Sequence, residues 1–85
     1  MVTFREEVIE LLANKVLELY PNTDPSTLNA DTRFKEDLGI KSSDIVKITA
    51  ALEDEYDVEV AFMAFNRCVT FGAAADYMSE ITGIE

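Results

Sequence analysis

Two adjacent serines, Ser42 and Ser43, stand in the stretch EDLGIKSSDIVKI, where a loop gives way to a segment of helical periodicity. A serine at the start of a helix can accept a hydrogen bond from a backbone N–H one turn further on. It can also carry a phosphate ester, because unpaired N–H groups and the positive end of the helix dipole favour an anion there. One helix needs one N-cap, so the second hydroxyl is a candidate for modification, although position alone favours capping.

Other chemical groups are scarce in this sequence, which has no histidine and a single cysteine, Cys68. These counts exclude a serine–histidine or cysteine–histidine nucleophile pair, a cysteine-clustered zinc site and an internal disulfide. The segments that begin at Asp24 and Asp31 lack the glutamate that a calcium loop needs at its twelfth position. We therefore predict no catalytic residues and no metal site, and we interpret Cys68 as a buried structural thiol.

The charge is strongly negative, with 17 acidic and 7 basic residues and a formal net charge of −10. Such a field repels nucleic acid and anionic lipid but attracts basic protein surfaces, although it would also serve solubility alone. No apolar run approaches the ~20 residues that span a bilayer, and the start MVTFREEVIE is charged too early for a secretory signal. We expect a cytoplasmic monomer that binds proteins, since a free thiol suits a reducing compartment.

The elements that must position the serines follow from periodicity and punctuation. Thr3 and Glu6 form a capping-box pattern, and Pro21 ends the helix predicted for residues 3–19. Its inner face is predicted to carry Phe4, Val8, Leu11, Leu12, Val16 and Leu19. A loop of about twenty residues follows, which is long for a small domain and is expected to be functional or anchored. The predicted anchors are Leu28, Phe34 and Leu38, and Gly39 is expected to turn the chain with a positive φ.

The second predicted helix is SDIVKITAALEDEY, in which apolar residues recur at helical spacing. Its inward residues are Ile45, Ile48, Leu52 and Tyr56, with Val46 and Ala51 widening the apolar face. The run DVEV interrupts the pattern, AFMAFNR predicts a short helix, and TFGAAADYMSEITG predicts a helix capped by Thr70 and ended by Gly83. The last helix is expected to turn inward Phe71, Ala74, Tyr77, Met78 and Ile81.

No strand or hairpin pattern occurs in the 85 residues. Three amphipathic helices and a short fourth must bury their apolar stripes against one another. We therefore predict one all-α domain over residues 1–85, a small four-helix bundle with a long loop after the first helix.

The stretch DLGIKSSDIVKITAALEDEYDVEV resembles the attachment motif of acyl carrier proteins. In that family Asp-Leu-Gly precedes the modified serine by two variable residues, which here gives Asp37, Leu38, Gly39 and then Ser42. A helix that ends in acids and an aromatic residue follows, and VTFGAAADYM is similar to the family's last helix. The resemblance covers essentially the whole chain, including the long first loop.

The resemblance implies that Ser42 receives 4′-phosphopantetheine from coenzyme A through a phosphopantetheinyl transferase. The thiol of this arm would hold an acyl group as a thioester, for acyl-loading and acyl-processing enzymes of fatty-acid or related lipid and polyketide biosynthesis. The arm would move between these enzymes and the bundle interior, and the protein itself would catalyse nothing. Two alternatives remain open: a peptidyl or aminoacyl carrier, and a helical interaction module without an arm, in which Ser42 is only an N-cap.

Departures from the family pattern predict a specialised carrier with its own partners. Lys41 replaces a common aspartate, Lys47 stands where the helix is usually acidic, and Ser43 replaces an apolar contact. The segment AFMAF replaces an entry to the third helix that is usually rich in proline and acids. We expect an exposed apolar patch from Phe62 and Met63, with Phe65 in the core; the open alternative is that both phenylalanines are core and only Met63 is exposed. The predicted partner contacts are Lys41, Ser43, Asp44, Lys47, Phe62 and Met63.

Overall fold

The computed structural model describes residues 2–84 and confirms the predicted bundle. Its helices are α1 (Phe4–Leu19), α2 (Ser42–Tyr56), α3 (Phe62–Asn66) and α4 (Phe71–Thr82). Within the described residues the only β-type pairing is an isolated antiparallel bridge between Arg33 and Thr70. None of these helices has both the length and the apolar character that crossing a bilayer requires.

Helix α1 begins where the sequence predicted. The Thr3 hydroxyl oxygen accepts a hydrogen bond from Glu6 N at 3.1 Å, and the same hydroxyl donates to Glu6 Oε1 at 3.2 Å. At the other end, the Tyr20 N–H donates to Val16 O at 2.7 Å. The buried face consists of Phe4, Val8, Leu12 and Val16, whereas Leu11 and Leu19 are only partly buried.

The long loop is anchored by both apolar and polar side chains. Phe34 is buried as predicted, and its ring centroid lies 4.8 Å from that of Phe71. Leu28 and Leu38 are partly buried against the core. The sequence interpretation missed Thr32, which is 4 % exposed; its hydroxyl donates to Thr27 O at 2.6 Å and accepts from Asn29 N at 2.8 Å. A buried side chain therefore satisfies backbone groups of a loop that lacks regular structure.

Helix α4 packs against α1 and closes the core. Its buried residues are Phe71, Gly72, Ala74, Ala75 and Met78, whereas Tyr77 and Ile81 are partly buried. The predicted stop is confirmed, because Gly83 has φ +73 and its N–H donates to Ser79 O. Such a left-handed residue commonly ends a helix.

The buried face of α2 is narrower than the sequence predicted. Its buried residues are Ile45, Ile48, Thr49 and Leu52. Val46, expected to widen the apolar face, is 50 % exposed, so that expectation was wrong. Adjacent residues lie about 100° apart around a helix, and the stripe centred on Ile45 and Ile48 already faces the core. Val46 therefore points away from the core toward solvent.

Candidate functional site

The first turn of α2 presents both serines to solvent. Ser42 is the first helical residue, and the N-cap is Lys41, whose side chain makes no capping hydrogen bond. The N–H groups of Asp44 and Ile45 both donate to Lys41 O at 3.0 Å. The alternative in which Ser42 serves only as the N-cap of α2 is therefore wrong. Ser42 and Ser43 are exposed, and the hydroxyl of Ser42 is free of a capping role at the start of α2.

The Asp-Leu-Gly motif forms the turn that delivers Ser42 to this position. The Asp37 carboxylate accepts from Arg33 N at 2.9 Å and from Arg33 Nη2 at 2.9 Å. These hydrogen bonds from Arg33 lower the pKa of Asp37 below its ordinary value. Gly39 has φ +64, as predicted, and Ile40 N then donates to Phe34 O at 3.0 Å. The motif thus closes a compact turn immediately before α2.

Leu38 and Ile40 tie the same turn to the core. Ile40 is 3 % exposed, and Leu38 is partly buried against the core cluster. Two apolar contacts on either side of Gly39 hold the turn against the bundle, so the start of α2 is positioned by packing as well as by hydrogen bonds. The sequence interpretation identified Gly39 and Leu38 but missed Ile40 and the Arg33–Asp37 pair; the four-residue spacing of opposite charges was an available signal for the pair.

Asp44, one of the predicted partner contacts, is already engaged within the protein. The Tyr20 hydroxyl donates a hydrogen bond to Asp44 Oδ2, and Lys47 Nζ lies 3.6 Å from Asp44 Oδ1. The side chain of Asp44 is only 19 % exposed. The hydrogen bond from Tyr20, followed by the charge of Lys47, lowers the pKa of Asp44, and the same hydrogen bond raises the pKa of Tyr20. Asp44 thus fastens the start of α2 to the end of α1, a link that the sequence did not indicate.

The remaining predicted contacts on α2 are accessible. Lys41 and Ser43 are exposed, and the side chain of Lys47 is 62 % exposed. Val46 adds an exposed apolar side chain one turn after Ser42. The start of α2 therefore presents two lysines and a valine around the serine, not an acidic surface.

Helix α3 separates the residues of AFMAF between core and solvent. Phe65 is 1 % exposed and Met63 is 69 % exposed, which confirms the predicted placement of both. Phe62 was expected to be exposed, but it is partly buried and packs against the core cluster, so this expectation was wrong. Residues i and i+3 share a helix face, so the Phe62 ring follows Phe65 inward. The exposed apolar patch therefore consists of Met63 and the part of Phe62 that remains accessible to solvent.

A pocket of about 110 Å³ lies between the end of the long loop, α2, α3 and the α3–α4 connection. Its walls are formed by Phe34, Lys35, Glu36, Ile45, Phe65, Asn66, Cys68 and Val69. Ile45 is three residues after Ser42 and so lies on the same side of α2. Cys68 is partly buried, so its interpretation as a buried structural thiol is confirmed only in part. Its thiol donates a hydrogen bond to Ala64 O at 3.6 Å, and burial raises the pKa of this thiol.

These residues suit a phosphodiester attached at Ser42. Its hydroxyl is exposed, and the N–H groups of Ser42 and Ser43 find no acceptor within residues 2–84. A phosphate on Ser42 would meet these N–H groups and the positive end of the α2 dipole, and Lys41 adds a positive charge at the preceding residue. The donor set and the charge therefore favour an anionic group at this serine.

Comparison with known proteins agrees with this arrangement. The family model described as the phosphopantetheine attachment site matches residues 6–78. Over 59 residues the chain is 32 % identical to a protein of Saccharomyces cerevisiae named "Acyl carrier protein, mitochondrial"; the aligned part is 69 % of this chain and 47 % of that protein. The chain thus spans about half the length of the curated relative that it matches. From the match over residues 6–78 and the helical bundle that presents Ser42, the chain belongs to the acyl carrier protein family, whose members hold a covalent 4′-phosphopantetheine and act as carriers, not enzymes.

Proposed function

We propose that Ser42 is the attachment residue and that the chain carries acyl groups as thioesters on its 4′-phosphopantetheine. The observation that carries the proposal is the position of Ser42: three residues after Gly39, first in α2, exposed and not used as a cap. The thiol of the arm supplies the thioester chemistry. The residues of the chain supply attachment, orientation and a surface for partner enzymes.

Attachment requires one bond exchange at Ser42. The Ser42 oxygen forms a bond to the phosphorus that bears the pantetheine in coenzyme A, and the pyrophosphate P–O bond breaks. Adenosine 3′,5′-bisphosphate leaves, and the hydroxyl proton passes to the phosphopantetheinyl transferase. The open N–H groups at the start of α2 and the charge of Lys41 stabilise the phosphodiester that results.

Ser43 is the alternative nucleophile, and the comparison with Ser42 provides the first test. The apo protein is incubated with coenzyme A and a broad-specificity transferase, and the adduct is mapped by mass spectrometry. We expect loading of the wild type and of Ser43→Ala and complete loss in Ser42→Ala. Loading that survives Ser42→Ala and disappears in Ser43→Ala would overturn the assignment, and no loading by several transferases would favour an interaction module without an arm.

The surface around Ser42 supports a specialised carrier. Lys41, Lys47 and Met63, all exposed, stand where the family resemblance leads us to expect acids, and Val46 adds an exposed apolar side chain on α2. A matching partner would offer acidic groups for the lysines and an apolar contact for Val46 and Met63. Fatty-acid, polyketide and aminoacyl pathways could each supply such a partner, and acyl loading is favoured by the family of the curated relative. A cytoplasmic, monomeric protein completes the proposal, which cell fractionation and sedimentation would test.

Reversal of the departures tests the specialised role. A housekeeping acyl-loading enzyme of fatty-acid synthesis should transfer acyl groups poorly to the wild-type carrier. The triple variant Lys41→Asp, Ser43→Leu, Lys47→Glu restores the family pattern, and we expect at least about tenfold faster loading, equivalent to roughly 1.4 kcal/mol. Arg5→Glu with Arg67→Glu makes the same change in charge at the start of α1 and the end of α3 and should leave the rate nearly unchanged. Equal loading of wild type and triple variant would contradict a specialised partner surface.

Met63 and Phe65 separate partner contact from folding. Met63→Ser should leave the free energy of unfolding within about 0.5 kcal/mol of wild type, because the side chain is exposed. Phe65→Ser should destabilise by about 3–5 kcal/mol, because the ring is buried. Denaturant unfolding measures both. A large loss in Met63→Ser would place this residue in the core and remove it from the proposed partner surface.

A further inference from the structure

The first turn of α2 has few contacts of its own to hold it. Lys41, Ser42 and Ser43 are exposed, and no side chain at the N-cap position caps the helix. The N–H groups of Asp44 and Ile45 donate to the Lys41 carbonyl oxygen. Helix ends fray where backbone groups lack partners. The position of the Ser42 hydroxyl therefore depends on contacts that other parts of the fold make with this turn.

Tyr20 supplies such a contact from the end of α1. Its hydroxyl donates a hydrogen bond to Oδ2 of Asp44, the third residue of α2, and this bond lowers the pKa of the carboxylate. Lys47 also lies near Asp44, but it belongs to α2 itself and cannot hold this helix against α1. The Tyr20–Asp44 hydrogen bond thus ties the first turn of α2 to a different element of the fold.

Tyr20 is itself held in place on three sides. Its N–H donates to Val16 O at 2.7 Å, and its carbonyl oxygen accepts from Thr23 N at 3.1 Å. The ring packs against the core, and Pro21 restricts the backbone of the residue before it. Because Tyr20 is already ordered, its hydroxyl loses little freedom when it binds Asp44. The hydrogen bond can therefore fix the first turn of α2 effectively.

Asp44 and Ser42 point to different sides of α2. Successive residues lie about 100° apart around a helix, so side chains two positions apart are separated by about 160°. Asp44 faces the end of α1, where Tyr20 lies, and Ser42 therefore faces away from it. An enzyme that reaches the Ser42 hydroxyl approaches the side of α2 opposite the Tyr20–Asp44 hydrogen bond. This bond is thus placed to fix the turn and not to touch the reacting groups.

We infer that Tyr20 is a positioning residue for the attachment of 4′-phosphopantetheine, acting through Asp44 to fix the first turn of α2 and with it the Ser42 hydroxyl. This inference rests on the proposed function, because it needs attachment at Ser42. Attack on phosphorus requires the reacting atoms to lie about 3–3.5 Å apart and aligned. A fraying turn adopts that geometry for a smaller fraction of the time. The rate within the bound complex then falls, while the affinity for the transferase changes little.

The kinetic test compares two tyrosines that join α1 and α2 at opposite ends. Tyr20→Phe removes the hydrogen bond at the start of α2, and Tyr56→Phe removes the hydroxyl that lies 3.5 Å from Glu7 Oε1 near the other end. Single-turnover loading from coenzyme A at increasing concentrations of a broad-specificity transferase gives a maximal rate and a half-saturating concentration. We expect Tyr20→Phe to lower the maximal rate at least about fivefold, with the half-saturating concentration within about twofold. Tyr56→Phe should change neither.

Substitutions of Asp44 separate positioning from contact with the transferase. Asp44→Asn keeps an oxygen that can accept from Tyr20 and should retain the wild-type maximal rate, whereas Asp44→Ala should lose as much as Tyr20→Phe. The double variant of Tyr20→Phe with Asp44→Ala should lose no more than either single variant, because both break the same hydrogen bond. A raised half-saturating concentration in Asp44→Asn, with wild-type kinetics in Tyr20→Phe, would overturn the inference and assign Asp44 to a charge contact with the enzyme.

Amide hydrogen exchange gives a readout that does not depend on loading. In apo Tyr20→Phe, the N–H groups of Asp44 and Ile45 should exchange at least about threefold faster than in wild type, because the first turn opens locally. The N–H of Ala74, which donates to Thr70 O at the start of α4, is the control and should be unchanged. Unchanged exchange at Asp44 and Ile45, or an equal acceleration at Ala74, would overturn the role of Tyr20. An absence of adduct on Ser42 in the wild type would instead overturn the proposed function, and this inference with it, so the two failures are distinguishable.

Discussion

The starts of α2 and α4 differ in whether the protein supplies hydrogen-bond acceptors for the first backbone N–H groups of the helix. At the start of α4, protein groups accept hydrogen bonds from the first four N–H groups. Phe71 N donates to Thr32 O at 3.0 Å, Gly72 N to Ala30 O at 2.8 Å, Ala73 N to Thr70 Oγ1 at 3.1 Å and Ala74 N to Thr70 O at 3.1 Å. Because Phe71 and Gly72 are buried, water could not have replaced these acceptors.

The start of α2 leaves the corresponding groups open. Lys41 occupies the N-cap position without a side-chain cap, and its carbonyl accepts from Asp44 N and Ile45 N. Ser42 and Ser43 occupy the positions of Phe71 and Gly72 but are exposed. An N-terminus completed by the protein is structural, whereas one left open at the surface can receive an anion. The difference between the two helices thus separates the folding function of α4 from the attachment function proposed for α2.

The largest difference between α2 and α4 is expected at the second residue of each helix. A Cβ on Gly72 would lie 3.0 Å from Ala30 O, which is backbone, and 2.6 Å from Arg5 Nη2. Gly72→Ala should therefore lower the free energy of unfolding by about 1–3 kcal/mol, as overpacking does. Ser43→Ala, at the matching position of α2, should change it by less than about 0.5 kcal/mol. Denaturant unfolding of both variants tests the contrast, and equal losses would break it.

A smaller effect is expected at the two N-caps. Thr70→Ala removes the acceptor for Ala73 N and should cost about 1 kcal/mol, whereas Lys41→Ala removes no cap and should be close to neutral. Lys41→Ser would give α2 the cap that it lacks and should stabilise the fold by about 0.5–1 kcal/mol. Unfolding by urea measures all three variants. A Lys41→Ser variant that is less stable than wild type would contradict the expectation that a capping side chain at position 41 stabilises α2.

The acid dependence of stability tests the link that holds the open start of α2 in place. The folded pKa of Asp44 is depressed, first by the hydrogen bond from Tyr20, so its contribution is present above the unfolded value of about 3.9 and is lost as pH falls through the folded pKa. Tyr20→Phe removes that bond. The variant should be less stable than wild type at pH 6, and the difference should shrink as pH falls below about 4. A difference that is constant with pH would contradict this role for Asp44.

The smallest effect concerns the acidic end of α2. Glu53, Asp54, Glu55, Asp57 and Glu59 crowd the end of this helix and the turn after it. Exposed like charges repel by a few tenths of a kcal/mol per pair, so added salt or divalent cations should raise the melting temperature slightly. Neutralising Asp54 and Asp57 to asparagine should reduce that salt response. A melting temperature indifferent to ionic strength would show that the repulsion is negligible.

The structure decides which of these acids can be neutralised without removing a hydrogen bond. Glu53 Oε2 accepts from Val60 N at 2.9 Å, so its carboxylate also completes the turn after α2. Neutralising Glu53 together with Asp57, as the charge pattern alone suggests, would mix a charge effect with a lost hydrogen bond unless glutamine retains the acceptor. Asp57 itself adopts φ +50, which asparagine tolerates well.

The bundle could be read from the sequence because its signals are local. The Thr3 and Thr70 caps, the positive φ of Gly39 and Gly83, and the core stripes of α1 and α4 each depend on residues within a few positions of one another. The candidate attachment residue is different, because Ser42 was identified only through the resemblance of the Asp-Leu-Gly stretch to acyl carrier proteins. Helix periodicity and turn chemistry depend on neighbouring residues and so survive without knowledge of the fold.

What remained hidden depends on contacts between distant segments. The Tyr20–Asp44 hydrogen bond joins residues 24 positions apart, and the carbonyl of Ala30 would crowd a side chain at position 72. The exposure of Val46, the inward turn of Phe62 and the unpaired oxygen of Asn66 depend on which neighbours the packed helices bring close. The sequence by itself determined the helices, their ends and the serine at the start of α2. Only the tertiary structure decided which polar groups were already satisfied and which were left open, because hydrogen bonding and burial are settled by three-dimensional neighbours and not by positions along the chain.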